Sequence, residues 1–144
     1  MTTLLRKCTI TALSVFGSMT MLFGQSEVIV MGKIDIPIIR NLELKFTENL
    51  FQLTPNQVET KLDAEDYFAF KIKIAEPRVC MLQYRNNKLR IFVKPGDTLK
   101  LRFDGRDFLK TVIFDGYSAA ENQFLHTMTQ KFPSLLDEKT FANA

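Results

Sequence analysis

Two cysteines, one histidine and no tryptophan stand among 144 residues, and each scarcity removes a class of chemistry. Cys8 falls in a segment expected to be cleaved off, which leaves Cys80 alone. A lone thiol makes neither an intrachain disulfide nor a CxxC redox pair. With His126 as the single histidine there is no His/Cys set for zinc. Nor is there a base for an acyl-transfer triad, and no GxSxG nucleophile is present. Pro95-Gly96-Asp97 is the nearest approach to a phosphate-cradling loop, but it reads as a turn between strands, not as a Gly-rich strand-to-helix loop. No catalytic, cofactor-binding or metal-binding residue is therefore expected, and the chain is expected not to be an enzyme.

The first 26 residues have the layout of a secretory signal peptide. Arg6 and Lys7 precede an uncharged, mostly apolar run from Cys8 to Phe23, and Gly24-Gln25-Ser26 supplies small residues for a cleavage site. The run is short of the ~20 residues a membrane-crossing helix needs, and Cys8 stands at its start, whereas a lipid-modified cysteine would follow it. The mature chain is expected to begin near Gln25 to Glu27, to reach the periplasm or cell envelope, and to keep no membrane span. Without residues 1–26 the formal charge falls from +3 to +1, so bulk charge gives no argument for nucleic acid. The remaining 118 or so residues make one domain with room for a core.

From Val28 to Phe114 the dominant signal is alternation with period two, the signature of half-buried strands. Leu42, Leu44 and Phe46 alternate with Glu43 and Lys45; Phe68, Phe70, Ile72 and Ile74 with Ala69, Lys71 and Lys73; Leu99, Leu101 and Phe103 with Lys100 and Arg102. Turn residues punctuate these runs at Asp63 to Asp66, Glu76-Pro77, Asn86-Asn87, Pro95-Gly96-Asp97 and Asp104-Gly105. The pattern predicts a mainly β fold, an antiparallel β-sandwich of about six to eight strands over residues 27–133, with one C-terminal amphipathic helix. The acidic residues Asp63, Glu65, Asp66, Asp104, Asp107 and Asp115 are expected in turns, where Asp bonds its own backbone.

Residues 81–97, MLQYRNNKLRIFVKPGD, read as a hairpin with Asn86-Asn87 as a two-residue turn. That register sets Tyr84 opposite Leu89, Leu82 opposite Ile91 and Cys80 opposite Val93, and gives one apolar face, which buries Cys80 as a structural thiol. A slip of one residue would bury the charges instead. Residues 78–103 carry seven basic residues and one acid. Of these, Arg85, Lys88, Arg90, Lys94, Lys100 and Arg102 form the candidate docking face for an acidic partner, a polyanionic surface glycan or another domain of the same protein. The alternative is a solvated face whose lysines discourage edge pairing.

Beyond a last strand over Thr111 to Phe114, Ser118-Ala119-Ala120-Glu121 has the form of a capping box. The helix it opens carries Phe124, Leu125, Met128 and Phe132 on one stripe, expected to pack on the sandwich. His126 falls off that stripe and is expected in solvent. Pro133 ends the helix.

The ordered set Val30-Met31-Gly32-Lys33-Ile34, Leu62-Asp63, Tyr67 to Phe70, the Asn86-Asn87 hairpin, Phe92 to Leu99 with its Pro-Gly-Asp turn, and Gly116-x-x-Ala119-x-x-Asn122-x-Phe124-Leu125 forms a pattern. It resembles the N-terminal β-sandwich domain, a domain of unknown function, that precedes the thioredoxin fold in periplasmic TlpA-like thiol-disulfide oxidoreductases. The resemblance covers nearly the whole mature chain and rests on structural motifs. In that family the CxxC lies on the downstream domain, so no catalytic residue is carried over. What it implies is a non-catalytic accessory module that meets a thioredoxin-like domain in cis or in trans. The alternative is a stand-alone envelope module binding glycan or peptide. Residues 134–144 read as the start of a linker or further segment, so the chain is either a truncated piece or a stand-alone copy.

Overall fold

A computed structural model describes residues 25–48 and 51–133 of the chain. The expected leader, but for Gln25 and Ser26, and the expected segment over 134–144 lie outside the described residues. The elements are β1 (Ser26–Asp35), β2 (Asn41–Phe46), β3 (Asn56–Lys61), β4 (Tyr67–Ile74), β5 (Arg78–Tyr84), β6 (Asn87–Val93), β7 (Thr98–Asp104), α1 (Phe108–Thr111), β8 (Ile113–Gly116) and α2 (Ala119–Lys131). Two four-stranded sheets face each other. The first has the order β4-β1-β7-β8 and the second β3-β2-β5-β6. The fold is thus the mainly β sandwich that the alternation predicts, closed by one longer C-terminal helix. The last strand starts at Ile113 rather than Thr111, because residues 108–111 form the helical turn α1.

Alternation becomes burial strand by strand. In β4, Phe68, Phe70, Ile72 and Ile74 are buried while Tyr67, Ala69, Lys71 and Lys73 are exposed. The inward sides of both sheets merge into one core. Phe103 sits at its centre, with ring centroids 5.4 Å from Tyr84 and 4.1 Å from Phe108. Gly32 interrupts the inward row of β1 between Val30 and Ile34. A Cβ there would lie 2.1 Å from the Leu101 carbonyl oxygen, so only glycine lets β1 lie flush against β7.

All pairings are antiparallel except β1 with β7, which run parallel from Ile29↔Thr98 to Asp35↔Asp104. A parallel pair cannot be joined by a tight turn. Here the chain passes through β2 to β6 before β7 returns beside β1.

The hairpin keeps its predicted faces but not its predicted register. Tyr84 pairs with Asn87, Leu82 with Leu89 and Cys80 with Ile91, so the two turn residues are Arg85 and Asn86. Cys80, Leu82, Tyr84, Leu89, Ile91 and Val93 are all buried. Because side chains alternate with period two, the apolar pattern forbids an odd slip but does not see an even one. The turn places Arg85 at φ +54°, a left-handed conformation uncommon outside glycine. Deeper in the same hairpin, the buried Tyr84 hydroxyl accepts hydrogen bonds from the Ile38 and Ile39 amides at 2.8 and 3.1 Å. This ties the β1–β2 loop to the core.

Candidate functional site

The six basic residues of the candidate docking face do not share a surface. Arg85, Lys88 and Arg90 belong to the β5–β6 hairpin of the second sheet, whereas Lys100 and Arg102 lie on β7 in the first. The cause is the Lys94–Asp97 turn, closed by an Asp97 amide bond to the Lys94 carbonyl at 3.1 Å. Pro95 presets its first central position and Gly96 takes φ +80° at the second, the requirement of a type II turn. That turn carries the chain from one sheet to the other, and so divides a basic run that is continuous in sequence.

Lys94 and Arg102 are engaged locally. Lys94 Nζ lies 2.6 Å from Glu121 Oε1 and over the Tyr117 ring at 5.2 Å. The pair holds the Glu121 carboxyl below its ordinary range and the Lys94 ammonium above its own. Arg102 donates two hydrogen bonds to Asp35, at 2.8 and 3.1 Å, and its guanidinium lowers the Asp35 pKa.

The C-terminal helix turns the opposite side inward from the one its apolar residues predict. Phe124 is 67 % exposed and Phe132 45 %, whereas His126 is only 8 % exposed and Asn122 and Ser118 are fully buried. Leu125 and Met128 are half-buried. Ser118, Asn122 and His126 stand at i, i+4 and i+8, one face of a helix. That face meets polar groups. Strand β6 is an edge of its sheet, and its outward-pointing backbone groups need partners. Asn122 supplies both: its Oδ1 accepts from the Phe92 amide at 2.7 Å and its Nδ2 donates to the Phe92 carbonyl at 2.8 Å. One side-chain amide thus stands in for the next strand. His126 Nε2 donates to the Leu109 carbonyl of α1 at 2.7 Å, one of the orphan acceptors at a helix end. The Ser118 hydroxyl donates to buried Asp97, whose other carboxylate oxygen accepts from the Thr98 amide at 2.7 Å.

The predicted capping box is therefore not formed. The helix starts where it should, but Ser118 makes no side-chain cap bond, because its hydroxyl is turned to Asp97, while the Glu121 carboxylate is bonded to Lys94. His126, expected in solvent, is part of the seam. The outer side of α2 is left as an aromatic face of Phe124 and Phe132, with Met128 between them and the 83 %-exposed Tyr117 ahead of the helix.

The remaining candidates for chemistry are occupied structurally. Cys80 is 1 % exposed and burial pushes its thiol up to about 12, which leaves it protonated and unreactive at neutral pH. Asp63 Oδ1 accepts from the Glu65 and Tyr67 amides at 3.0 and 2.9 Å. Asp104 is held down at about 2 by the Arg106 guanidinium and amide. Among the described residues no three His, Cys, Asp or Glu side chains gather to hold a metal, and no helix is long and apolar enough to cross a membrane.

On the outer side of the first sheet a trough of about 860 Å³ crosses all four strands. It brings Lys100 and Arg102 together with Met31, Lys33, Tyr67 and Ile113, and with Lys61 at the end of β3. Lys33 and Lys61 escape the sequence reading because the basic run 78–103 does not contain them. Only the pairings Lys33↔Tyr67 and Lys33↔Arg102 bring Lys33 into the same row.

No protein-family model matches the chain, and no curated protein matches it. Among solved structures, one match is a chain described as a "putative cell adhesion protein" from Bacteroides ovatus, with 6 % identity and a TM-score of 0.35. The alignment covers 65 % of this chain and 44 % of the other, a likeness too distant to carry a role across.

Proposed function

We propose that the chain is a non-catalytic interaction module of an exported protein, which acts in the periplasm or cell envelope by docking a thioredoxin-fold domain of the TlpA-like kind, in cis or in trans. The observation that carries this reading is the outer face of α2. Phe124 and Phe132 lie open to solvent on a helix whose inner side is held by Phe92, Leu109 and Asp97. Exposed aromatic residues on a rigidly held helix suit a protein partner, because aromatic side chains dominate the energy of interfaces. The TlpA-like choice of partner is supported by the sequence resemblance alone. Its motif residues Asp97 and Asn122 are among those that fix α2 in place.

The test is calorimetric titration of the chain with an isolated TlpA-like thioredoxin domain. Saturable binding is expected, weakened at least tenfold by Phe124→Glu, with the melting temperature of the free chain unchanged by that exposed substitution. An absence of both heat and melting shift on mixing, or equal affinity in the variant, would refute the docking reading.

A further inference from the structure

The trough on the first sheet is a second surface, remote in character from the aromatic face of α2, and its charges are unbalanced in a specific way. Its acids are turned to their own backbone. Asp63 caps the Glu65 and Tyr67 amides, and Asp115 Oδ1 accepts from the Gly116 amide at 2.8 Å. Arg102 is taken by Asp35. By contrast Lys33, Lys61 and Lys100 all line the trough, and among the described residues none of the three makes a salt bridge. Asp115 sits opposite Lys100 in the ladder, yet the two do not close an ion pair. The trough therefore offers three ammonium groups, each with three donors, and few free acceptors.

Beside these donors lies an apolar platform. Tyr67 is 50 % exposed, with Lys33 Nζ 5.4 Å from its ring centroid, and Ile113, 62 % exposed, ends the same row of the sheet. The backbone donors and acceptors of the two inner strands, β1 and β7, are consumed by their ladders with both neighbours, so recognition on this face is by side chains. A peptide brings one N–H for each C=O and would find donors in excess and acceptors lacking. A glycan bearing carboxylates brings an excess of acceptor oxygens, and the C–H face of its ring packs on an aromatic side chain whose body is apolar. Charge and donor count thus favour a polyanion over a neutral peptide, and the Tyr67 platform favours a sugar ring.

We infer that the trough formed by Lys33, Lys61, Tyr67, Lys100 and Arg102 binds an anionic glycan of the polyuronate class. This stands apart from the docking role of α2 and does not depend on it.

The experiment is titration of the chain with oligogalacturonate, using a neutral galactan oligomer and poly-glutamate as comparisons. Expected is binding of oligogalacturonate that weakens with added salt. It falls at least tenfold in Lys100→Glu and in Tyr67→Ala, and is unchanged in Lys88→Glu on the other sheet and in Phe124→Glu on α2. All four substitutions are at exposed positions, and unchanged melting temperatures verify that each variant is folded. The inference is overturned if no binding is seen, if poly-glutamate or the neutral oligomer binds as tightly, or if Lys88→Glu weakens binding as much as Lys100→Glu. Because Phe124→Glu removes only the α2 surface, failure of glycan binding and failure of partner docking are told apart.

Discussion

At position 32 of β1 the space for a methyl group is already filled, by the Leu101 carbonyl oxygen and the tip of the Phe68 ring. Neither neighbour can withdraw cheaply: one is backbone in a central strand and the other is 3 % exposed within the core. Gly32→Ala is expected to cost about 1–3 kcal/mol, measured by chemical denaturation. Wild-type stability in the variant would mean that β1 and β7 are not in the close contact described. Glycine in mid-strand ordinarily weakens a sheet, so this one is retained for approach rather than flexibility. Tyr84 shows the complementary logic, since a fully buried ring is acceptable there because its hydroxyl finds two loop amides and the Ile39 carbonyl.

Elements differ in how much their own residues reveal. Strands β2, β4 and β7 were legible because each has one apolar and one wet side, and burial follows that division residue by residue. The β5–β6 hairpin was legible as to faces only. Its cross-strand pairing shifted by two residues and its turn by one, a change the alternation cannot register, which left Arg85 rather than an asparagine in the left-handed position. Positive φ at the first central residue alone is the pattern of a type II′ turn, which favours glycine. Arg85→Gly is therefore expected to raise stability by about 1 kcal/mol, read from the denaturation midpoint; a loss of stability would contradict the register. For α2 the apolar stripe pointed the wrong way. Reading a helix by its stripe assumes that its neighbour is apolar, but the neighbour here is the bare edge of β6 and the end of α1. The signal that would have found the true inner side was present: Ser118, Asn122 and His126, polar residues spaced by four.

At the scale of the whole molecule, the two sheets separate what the sequence joins. The basic run 78–103 divides at Pro95-Gly96, so Arg85, Lys88 and Arg90 face away on one sheet while Lys100 and Arg102 join Lys33 on the other, where Lys61 reaches in from the end of β3. Proximity in sequence therefore gave a docking face that does not exist as one surface, and did not give the trough, whose other residues come from β1, β3, β4 and β8. The side of the sandwich between β6 and β8 is closed by α2, whose polar bonds leave its aromatic side open. On this arrangement rest both the order of the fold and the surface offered to a partner. The most direct test is amide hydrogen exchange at Phe92 in the wild-type chain and in Asn122→Ala, with the Leu44 amide of the same sheet as reference. Protection of Phe92 in the wild type, lost in the variant while Leu44 stays protected, is the result expected. Phe92 exchanging as a free edge amide in the wild type, or equally protected in both proteins, would contradict the account.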